Sequence, residues 1–357
     1  MNEDFITLRR WLHPKCTPLS VPAGMLGPFV DLGDGRVMTM AGEGGLAISD
    51  DDGVTWSEPR VPDDASNLPS DPRSHIPSAN GGLLLRTRND TLILVYTDHA
   101  TFKWGWIDET SEPIANVRGD VWTMRSLDGG KTWIDREQLL DGYCGGMIDI
   151  IETRDGDVVV PIQQLLYNPG RHTTSTCVSA DQGATWTRSN IIDLGGHGHH
   201  DGGDEGTLAE LSDGRLLMLM RTSWDLLWEA FSDDGGRSWR TFRPSALDAS
   251  SAPGYLVGLT SGRIALVWNR LYPHGRNYHT RRGMEASTVA ASNHREELSI
   301  AFSEDDGASW LEPQVFAVDR DTRVSYPMVF EHRAGELWIT TRHQGGLQLR
   351  LLEDDFV

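Results

Sequence analysis

The sequence carries five copies of one short motif, spread along most of its length. Each copy fits the pattern Ser-x-Asp-x-Gly-x-Thr/Ser-Trp, in which the Asp can accept backbone N–H bonds and the Gly permits a positive φ. The five copies are Ser49 to Trp56, Ser126 to Trp133, Ser179 to Trp186, Ser232 to Trp239 and Ser303 to Trp310. A hairpin turn that recurs in this way predicts a chain built from small, repeated all-β units.

We call each copy of this motif a box. A second pattern precedes each box, and it consists of an apolar run, a tight turn and another apolar run. There are six such turns, one more than the boxes: Asp34-Gly35, Asn89-Asp90, Asp155-Gly156, Asp213-Gly214, Ser261-Gly262 and Ala334-Gly335. The apolar runs are too short for helices, and a propeller blade takes about 40–50 residues. We therefore predict an all-β, six-bladed β-propeller of four-stranded antiparallel blades, forming a single domain over residues 1–357. The last blade, which lacks a box, should be completed by an N-terminal strand.

The blade repeat also predicts which residues share a face. In an up-and-down blade, the turns after the first and third strands lie at one end, so the first turns and the boxes should lie together. The start of strand one, the end of strand two and the loop between strands two and three lie at the opposite end. We expect ligand-binding residues at that second end, close to the central axis.

Composition narrows the partners and the cell compartment. The chain has 32 Lys and Arg against 52 Asp and Glu, a formal charge of -20, which disfavours nucleic acid and anionic membranes. Cys16, Cys144 and Cys177 form no CxxC pair, which favours a reducing compartment. The N-terminus shows no apolar signal segment, and no apolar run is long enough to span a membrane. We expect a cytoplasmic protein, or a secreted one if a leader has been removed.

Alignment of the blades on their first turns brings out two pairs of equivalent polar residues. Glu205 and Tyr326 precede their turn glycines at the same spacing, and Arg221 and Arg342 follow them at the same spacing. All four should project onto the ligand end. This set, with the five boxes, resembles the sialidase (neuraminidase) superfamily of Asp-box propellers. The resemblance implies that Glu205 and Tyr326 are the catalytic base and nucleophile and that Arg221 binds a substrate carboxylate. It also places Arg295, just before the fifth box strand, as a second carboxylate-binding residue, and Arg342 is a further candidate.

Two features depart from the sialidase pattern. Met25 stands where those enzymes open their first blade with an Arg of the carboxylate-binding triad. The loop that carries their catalytic Asp is short here and offers only Glu43. These departures argue for a sugar acid other than ordinary sialic acid.

Three insertions offer replacements for the missing groups. The second blade inserts a loop in which Asp98 or His99 can donate a proton and Trp104 can stack on a sugar ring. The fifth blade inserts residues 270–294, a segment rich in Tyr, His and Arg that is either a ligand-binding rim or a surface loop. The alternative for the Trp-containing loop is packing over a neighbouring blade.

The third insertion, Gly196 to Glu205, is rich in glycine and histidine. Clustered His and Asp can ligate a divalent metal, but this spacing matches no regular zinc pattern. We therefore predict no metal and no cofactor, with His200 as an acid/base group and His199 as a substrate-binding residue. A polar loop without a role is the remaining interpretation.

Three functions fit these observations. The first is a sialidase-like exo-glycoside hydrolase that releases a terminal acidic sugar by a retaining mechanism through Tyr326 and Glu205. The second is a lyase acting on uronates, in which a His and a Tyr perform the proton transfers. The third is a non-catalytic carbohydrate-binding propeller, which the presence of both Glu205 and Tyr326 disfavours.

Overall fold

The five box turns are held together by the Ser and Asp side chains that define the motif. In the first box, Asp51 accepts the Thr55 backbone N–H through Oδ1 and the Thr55 hydroxyl through Oδ2, each at 2.7 Å. The Ser49 hydroxyl donates to Asp51 at 2.9 Å and accepts the Gly53 N–H at 2.8 Å. The same Asp bonds recur at Asp128, Asp181, Asp234 and Asp305. Each box therefore satisfies its own tight turn locally.

The computed structural model describes residues 8–22, 24–41, 45–61, 82–98, 101–271, 291–342 and 346–357. Its strands are, in chain order, β1 (Arg10–Leu12), β2 (Thr17–Pro18), β3 (Phe29–Gly33), β4 (Arg36–Ala41), β5 (Gly45–Ser49), β6 (Gly82–Arg86), β7 (Leu92–Thr97), β8 (Trp106–Ile107), β9 (Glu112–Pro113), β10 (Val121–Ser126), β11 (Ile134–Leu140), β12 (Ile151–Glu152), β13 (Val158–Leu166), β14 (Arg171–Ser179), β15 (Thr187–Arg188), β16 (Gly206–Glu210), β17 (Leu216–Met220), β18 (Leu226–Ser232), β19 (Thr241–Asp248), β20 (Tyr255–Gly258), β21 (Ile264–Trp268), β22 (Glu297–Ser303), β23 (Gln314–Asp319), β24 (Pro327–Arg333), β25 (Glu336–Thr341) and β26 (Gln348–Leu352). A one-turn 3₁₀ helix, Glu353–Asp355, follows β26.

These strands form six antiparallel blades, and a small β8–β9 ribbon lies outside them. We number the blades in chain order. Blade 1 contains β3–β5, blade 2 contains β6, β7, β10 and β11, and blade 3 contains β12–β15. Blade 4 contains β16–β19, blade 5 contains β20–β23, and blade 6 contains β24–β26. The first strand of blade 6 contacts the first strand of blade 1, which closes the ring. The prediction of an all-β, six-bladed propeller is confirmed.

The N-terminal segment joins two different blades. β2 pairs with β26 and gives blade 6 its fourth strand, as predicted. β1 pairs with β23 and adds a fifth strand to blade 5, which the sequence did not predict. Blade 1 has three strands within the described ranges. The four-stranded antiparallel blade is confirmed as the repeating unit, and in blade 5 the N-terminal β1 extends the four strands β20–β23 at their outer edge.

The hydrophobic core is divided among the contacts between neighbouring blades. Six buried clusters occur in the described part of the chain, and each combines side chains from two adjacent blades. The box residues Trp133 and Trp239 lie fully inside these clusters. Trp56, Trp186 and Trp310 are partly buried. The Trp56 indole N–H donates to the Gly53 carbonyl at 3.0 Å, so this ring lies against its own turn.

The two ends of the propeller are distinct, as the repeat predicts. The box residue Asp52 donates its N–H to the carbonyl of the first-turn residue Gly35 at 2.9 Å, which places these two turns together. Glu205 directly precedes β16, whereas the turn at Gly214 follows the end of that strand. A helix of the length and apolarity needed to cross a bilayer does not occur in the described residues.

Candidate active site

The four residues that the blade alignment singled out lie at equivalent strand ends. Glu205 directly precedes β16, and Tyr326 directly precedes β24. Arg221 follows β17 and donates its backbone N–H to the Glu205 carbonyl at 3.1 Å. Arg342 follows β25 and donates in the same way to the Tyr326 carbonyl at 3.1 Å. The sheet register thus holds each arginine next to the Glu or Tyr of its own blade.

Tyr326, Glu205 and Arg221 converge although they come from blades 4 and 6. The Tyr326 hydroxyl donates to Glu205 Oε1 at 3.3 Å. Arg221 Nη1 donates to both Glu205 oxygens, at 3.0 and 3.2 Å, and to the Tyr326 hydroxyl at 3.1 Å. Arg221 is 1 % exposed and Glu205 is 6 % exposed, so these charges interact in a weakly screened environment. We refer to these three residues as the Tyr–Glu–Arg triangle.

Close packing below Glu205 requires a residue without a side chain. A Cβ atom on Gly146 would lie 2.9 Å from Glu205 Cγ and 3.1 Å from its Oε1. An alanine at this position would therefore displace the carboxylate from Tyr326. The glycine fixes how close the loop before blade 3 comes to the triangle.

The Tyr326 phenol is held in its protonated form. Burial raises its pKa and the Glu205 charge raises it further, while Arg221 and Arg295 oppose the shift. Its backbone has φ 56°, in the left-handed region that a tyrosine rarely adopts. Backbone strain of this kind is concentrated at functional sites.

Arg295 lies beside the triangle with few protein partners. Its guanidinium carbon is 5.6 Å from the centre of the Tyr326 ring. Its Nη2 donates to the Ser251 carbonyl at 2.6 Å, and its Nε has no hydrogen-bond partner among the described residues. Burial lowers the pKa of Arg295, and the positive charges of Arg221 and Arg323 add to that effect. The charges of Tyr326 and Glu205 oppose that shift, but no direct ion pair of Arg295 occurs within the described residues. A buried guanidinium of this kind can bind an external anion.

Arg342, Asp98 and Met25, which the sequence analysis singled out, have the following surroundings. The Arg342 guanidinium donates to the Gly82 carbonyl at 3.3 Å, and burial lowers its pKa to about 10. Asp98 is buried at the end of β7, where its N–H donates to the Asp120 carbonyl at 2.7 Å. Met25, in the place of the first sialidase arginine, is buried in the cluster between blades 6 and 1. The roles of Arg342 in substrate binding and of Asp98 in proton transfer stay predictions.

The second-blade loop meets the histidine-rich loop. The ring of Trp104 lies 4.9 Å from that of His199, centre to centre, and 4.7 Å from that of Tyr143. The predicted substrate-stacking surface is therefore covered partly by protein aromatic groups. His99, Glu43 and residues 272–290 of the predicted rim lie outside the described residues. At the start of that rim, Arg270 forms an ion pair with Asp248 at 2.8 Å.

His199 and His200 meet a third histidine, His172, which the sequence analysis missed. One ring nitrogen from each lies within 4.8 Å of the others, and we call this set the three-histidine cluster. His200 Nδ1 is 3.5 Å from Arg221 Nη2, so the cluster adjoins the Tyr–Glu–Arg triangle. The signal was available, because His172 lies at the start of a third strand, where ligand-end residues are expected.

Asp204 is a second residue that the sequence analysis missed. Its carboxylate is fully buried, 3.3 Å from His172 Nδ1, 3.5 Å from His200 Nδ1 and 3.6 Å from Arg221 Nε. Burial alone would raise its pKa, but the charges of His172 and Arg221 hold that pKa well below its usual range. Asp204 therefore links the three-histidine cluster to Arg221 as a permanent anion.

The fold is shared with solved structures of low sequence identity. A protein of unknown function from Dyadobacter fermentans is 15% identical with a TM-score of 0.60, covering 96% of this chain and 99% of that one. A mutant of the NanB sialidase from Streptococcus pneumoniae is 13% identical with a TM-score of 0.58, covering 100% and 73%. An α-L-arabinanase from Penicillium chrysogenum, solved with arabinobiose, is 12% identical with a TM-score of 0.59, covering 98% and 99%. At these identities the likeness establishes the fold.

Sequence comparison assigns the family. No curated protein matches the sequence. The family model of the BNR repeat-like domain matches residues 45–339, which include all five boxes and the Tyr–Glu–Arg triangle. The expected resemblance to sialidase-like Asp-box propellers is confirmed in both fold and family. The chain belongs to the BNR repeat-like domain family.

Proposed function

We propose that this protein is a retaining exo-glycoside hydrolase that releases a terminal acidic sugar, with Tyr326 as nucleophile and Glu205 as its base. The observation that carries the proposal is the Tyr–Glu–Arg triangle, in which the phenol and the carboxylate are 3.3 Å apart. A phenol is a weak nucleophile at neutral pH and needs an adjacent base. The solved neighbours with sialidase and arabinanase activity support the same reaction class by analogy of fold.

The triangle suits a double displacement. The Tyr326 oxygen attacks the anomeric carbon, its proton passes to Glu205, and the glycosidic C–O bond breaks as the leaving oxygen takes a proton from an acid. Water then attacks the anomeric carbon and gives one proton to the conjugate base of that acid. The bond between the sugar and the Tyr326 oxygen breaks, and Glu205 returns its proton to that oxygen, which gives net retention. Arg221 stabilises the developing phenolate from 3.1 Å. His200 and Asp98 remain the predicted proton donors for the leaving group.

The acidic character of the substrate is inferred from the arginines. The nitrogen atoms of Arg221 bond to Glu205, Tyr326 and Ser251, so this residue positions the reacting pair. Arg295 instead presents a buried guanidinium beside the Tyr326 ring, with the charge of Arg323 nearby. A planar guanidinium pairs bidentately with a carboxylate. We therefore assign substrate-carboxylate binding mainly to Arg295, a shift from the equal roles that the sequence analysis gave Arg221 and Arg295.

Arg295→Gln should weaken the binding of an acidic sugar by about 2–5 kcal/mol, because a desolvated carboxylate loses its cation. The free energy of unfolding should stay unchanged or rise, because the substitution removes a buried charge whose guanidinium hydrogen bond goes to a backbone carbonyl, that of Ser251. Isothermal titration with N-acetylneuraminic and glucuronic acids, together with urea unfolding, measures both quantities. Arg243→Gln is the control, since this exposed arginine pairs with Glu229 on blade 4. Equal loss of affinity in both variants would contradict the assignment.

The reaction itself is tested with aryl glycosides of acidic sugars, followed by proton NMR. We expect the first-formed free sugar to have the anomeric configuration of the substrate, before mutarotation. An inverted product would exclude Tyr326 as nucleophile. Turnover of neutral arabinosides but not of acidic sugars would overturn the substrate assignment while leaving the hydrolase proposal standing.

One observation favours a lyase as the second candidate. The imidazole of His200 lies 3.5 Å from Arg221, so a His, a Tyr and an Arg adjoin one another as uronate elimination requires. Such an enzyme would release a 4,5-unsaturated uronate, which absorbs ultraviolet light, in place of a saturated sugar. Binding of an acidic sugar without either product would identify a carbohydrate-binding propeller.

A further inference from the structure

The three-histidine cluster has the dimensions of a metal site. Three nitrogens within 4.8 Å of one another lie within about 2.8 Å of a common centre, and an ordinary Zn–N bond is about 2.0–2.1 Å. Each imidazole therefore needs to move by less than about 1 Å to bind one ion. Side-chain rotation alone can supply a movement of that size.

The imidazoles are oriented by groups behind them. His172 Nδ1 lies 2.6 Å from Gln163 Nε2 and 3.3 Å from the Asp204 carboxylate, and His200 Nδ1 lies 3.5 Å from the same carboxylate. Metal-ligating histidines usually have one ring nitrogen held by a carboxylate in this way, which fixes the ring and directs the other nitrogen to the metal. Gln163 also donates to Asp204 at 2.9 Å, so the supporting groups are bonded to one another.

The backbone brings the two histidine-bearing segments together at a fixed distance. His172 donates its N–H to the Asp201 carbonyl at 2.8 Å, and Gly203 donates to the His172 carbonyl at 3.2 Å. A Cβ atom on Gly202 would lie 2.2 Å from the His172 carbonyl oxygen, so this approach requires glycine. The glycine-rich spacing that matched no zinc pattern in the sequence thus serves to place the loop against β14.

Acidic and basic groups both adjoin the cluster. Asp204 and Glu205 are buried carboxylates, and Arg221 and Arg295 are buried arginines near them. Asp204 is the carboxylate that faces the histidines, 3.3 Å from His172 Nδ1 and 3.5 Å from His200 Nδ1. Trp104 and Trp106 lie 4.9 and 5.3 Å from the His199 ring and restrict water on that side. Low dielectric strengthens the attraction between the carboxylates and a bound cation.

We propose that His172, His199 and His200 bind one divalent transition-metal ion, with Zn²⁺ preferred because an all-imidazole set disfavours Mg²⁺ and Ca²⁺. Three protein ligands leave a position for water or for an oxygen of the sugar. This site goes beyond the proposed hydrolase function and does not depend on it. It assigns His200 a role as ligand, which replaces the predicted role as proton donor, and it revises the prediction of no metal.

Calorimetric titration of the chelator-treated full-length protein with ZnCl2 tests the site without measuring activity. We expect one ion per chain with a dissociation constant of about 1 μM or below, and a raised melting temperature when Zn²⁺ is present. Absence of such binding by the wild-type protein would overturn the proposal. Visible absorption of the Co²⁺-substituted protein provides a second readout, because its bands report nitrogen coordination.

Variants locate the ion. His199→Gln should weaken Zn²⁺ binding about a hundredfold or more, and Asp204→Asn, which changes a positioning residue, about 10–100-fold. The matched control is His197→Gln, because His197 lies in the same loop but its side chain is 51% exposed. Melting curves of the metal-free variants verify that each is folded. If one of them does not fold, His200→Gln is measured in its place. Equal Zn²⁺ affinity in the His199 and His200 variants and the wild type would refute the assignment.

Discussion

Tyr326→Phe is expected to reduce turnover by about 10³-fold or more while leaving the affinity for an acidic sugar within a few-fold of wild type. The hydroxyl forms the covalent bond to the sugar, so its loss acts on the transition state and not on ground-state binding. The ring keeps its packing beside Arg295, whose guanidinium carbon is 5.6 Å from the ring centre. Steady-state rates with an aryl glycoside and calorimetric titration with the free sugar measure the two effects.

A neighbouring tyrosine provides the control for this variant. Tyr255 begins the first strand of blade 5, next to blade 6, and its hydroxyl is bonded to Asp149 and not to Glu205. Tyr255→Phe should keep turnover within about tenfold of wild type, because it removes one hydrogen bond away from the reacting pair. If Tyr326→Phe kept substantial activity and Tyr255→Phe lost it, the assignment of Tyr326 as the nucleophile would be wrong.

Glu205→Gln is expected to reduce turnover by about 10²–10⁴-fold, because the amide cannot accept the phenol proton. The side chains have nearly the same shape, so Gly146 should still fit beneath the substituted residue. The double variant with Tyr326→Phe should be no slower than the slower single variant, since base and nucleophile act as one unit. Rates of the two single variants and the double variant complete the cycle.

The matched control is the glutamate at the other end of β16, the strand that Glu205 directly precedes. Glu210 ends β16 at the box end of the propeller and pairs with Arg154 at 3.0 Å. Glu210→Gln should leave turnover near the wild-type value, because this pair is partly exposed and far from the Tyr–Glu–Arg triangle. If the losses in Glu205→Gln and Tyr326→Phe multiplied in the double variant, the two residues would act in separate steps and the nucleophile–base pairing would fail.

The blades could be predicted from the sequence because their turns are local. Each box closes through bonds between residues at most four positions apart, as between Asp51 and Thr55, so the motif alone encodes the turn. The fifth strand of blade 5 could not be predicted, because β1 is three residues long and pairs with a strand at the other end of the chain. Short edge strands carry little periodic signal.

The candidate site could be predicted only where the repeat supplied an alignment. Glu205, Tyr326 and Arg221 share strand positions, and the register brought them together. The alignment also equated Arg342 with Arg221, but the two side chains point to different partners, which depend on packing across the axis. The strand position of His172 marked it as a ligand-end residue, but its meeting with His199 depends on contacts between separate segments of the chain, which a single sequence does not show.

The two N-terminal strands impose an order on biosynthesis. β1 and β2 are synthesised before their partners β23 and β26, which follow them by most of the propeller. The edges of β1 and β2 therefore stay unpaired until those partner strands have been translated. Tyr326 belongs to the blade that β2 completes. The proposed pairing of Tyr326 with Glu205 therefore requires the last blade, and with it closure of the ring.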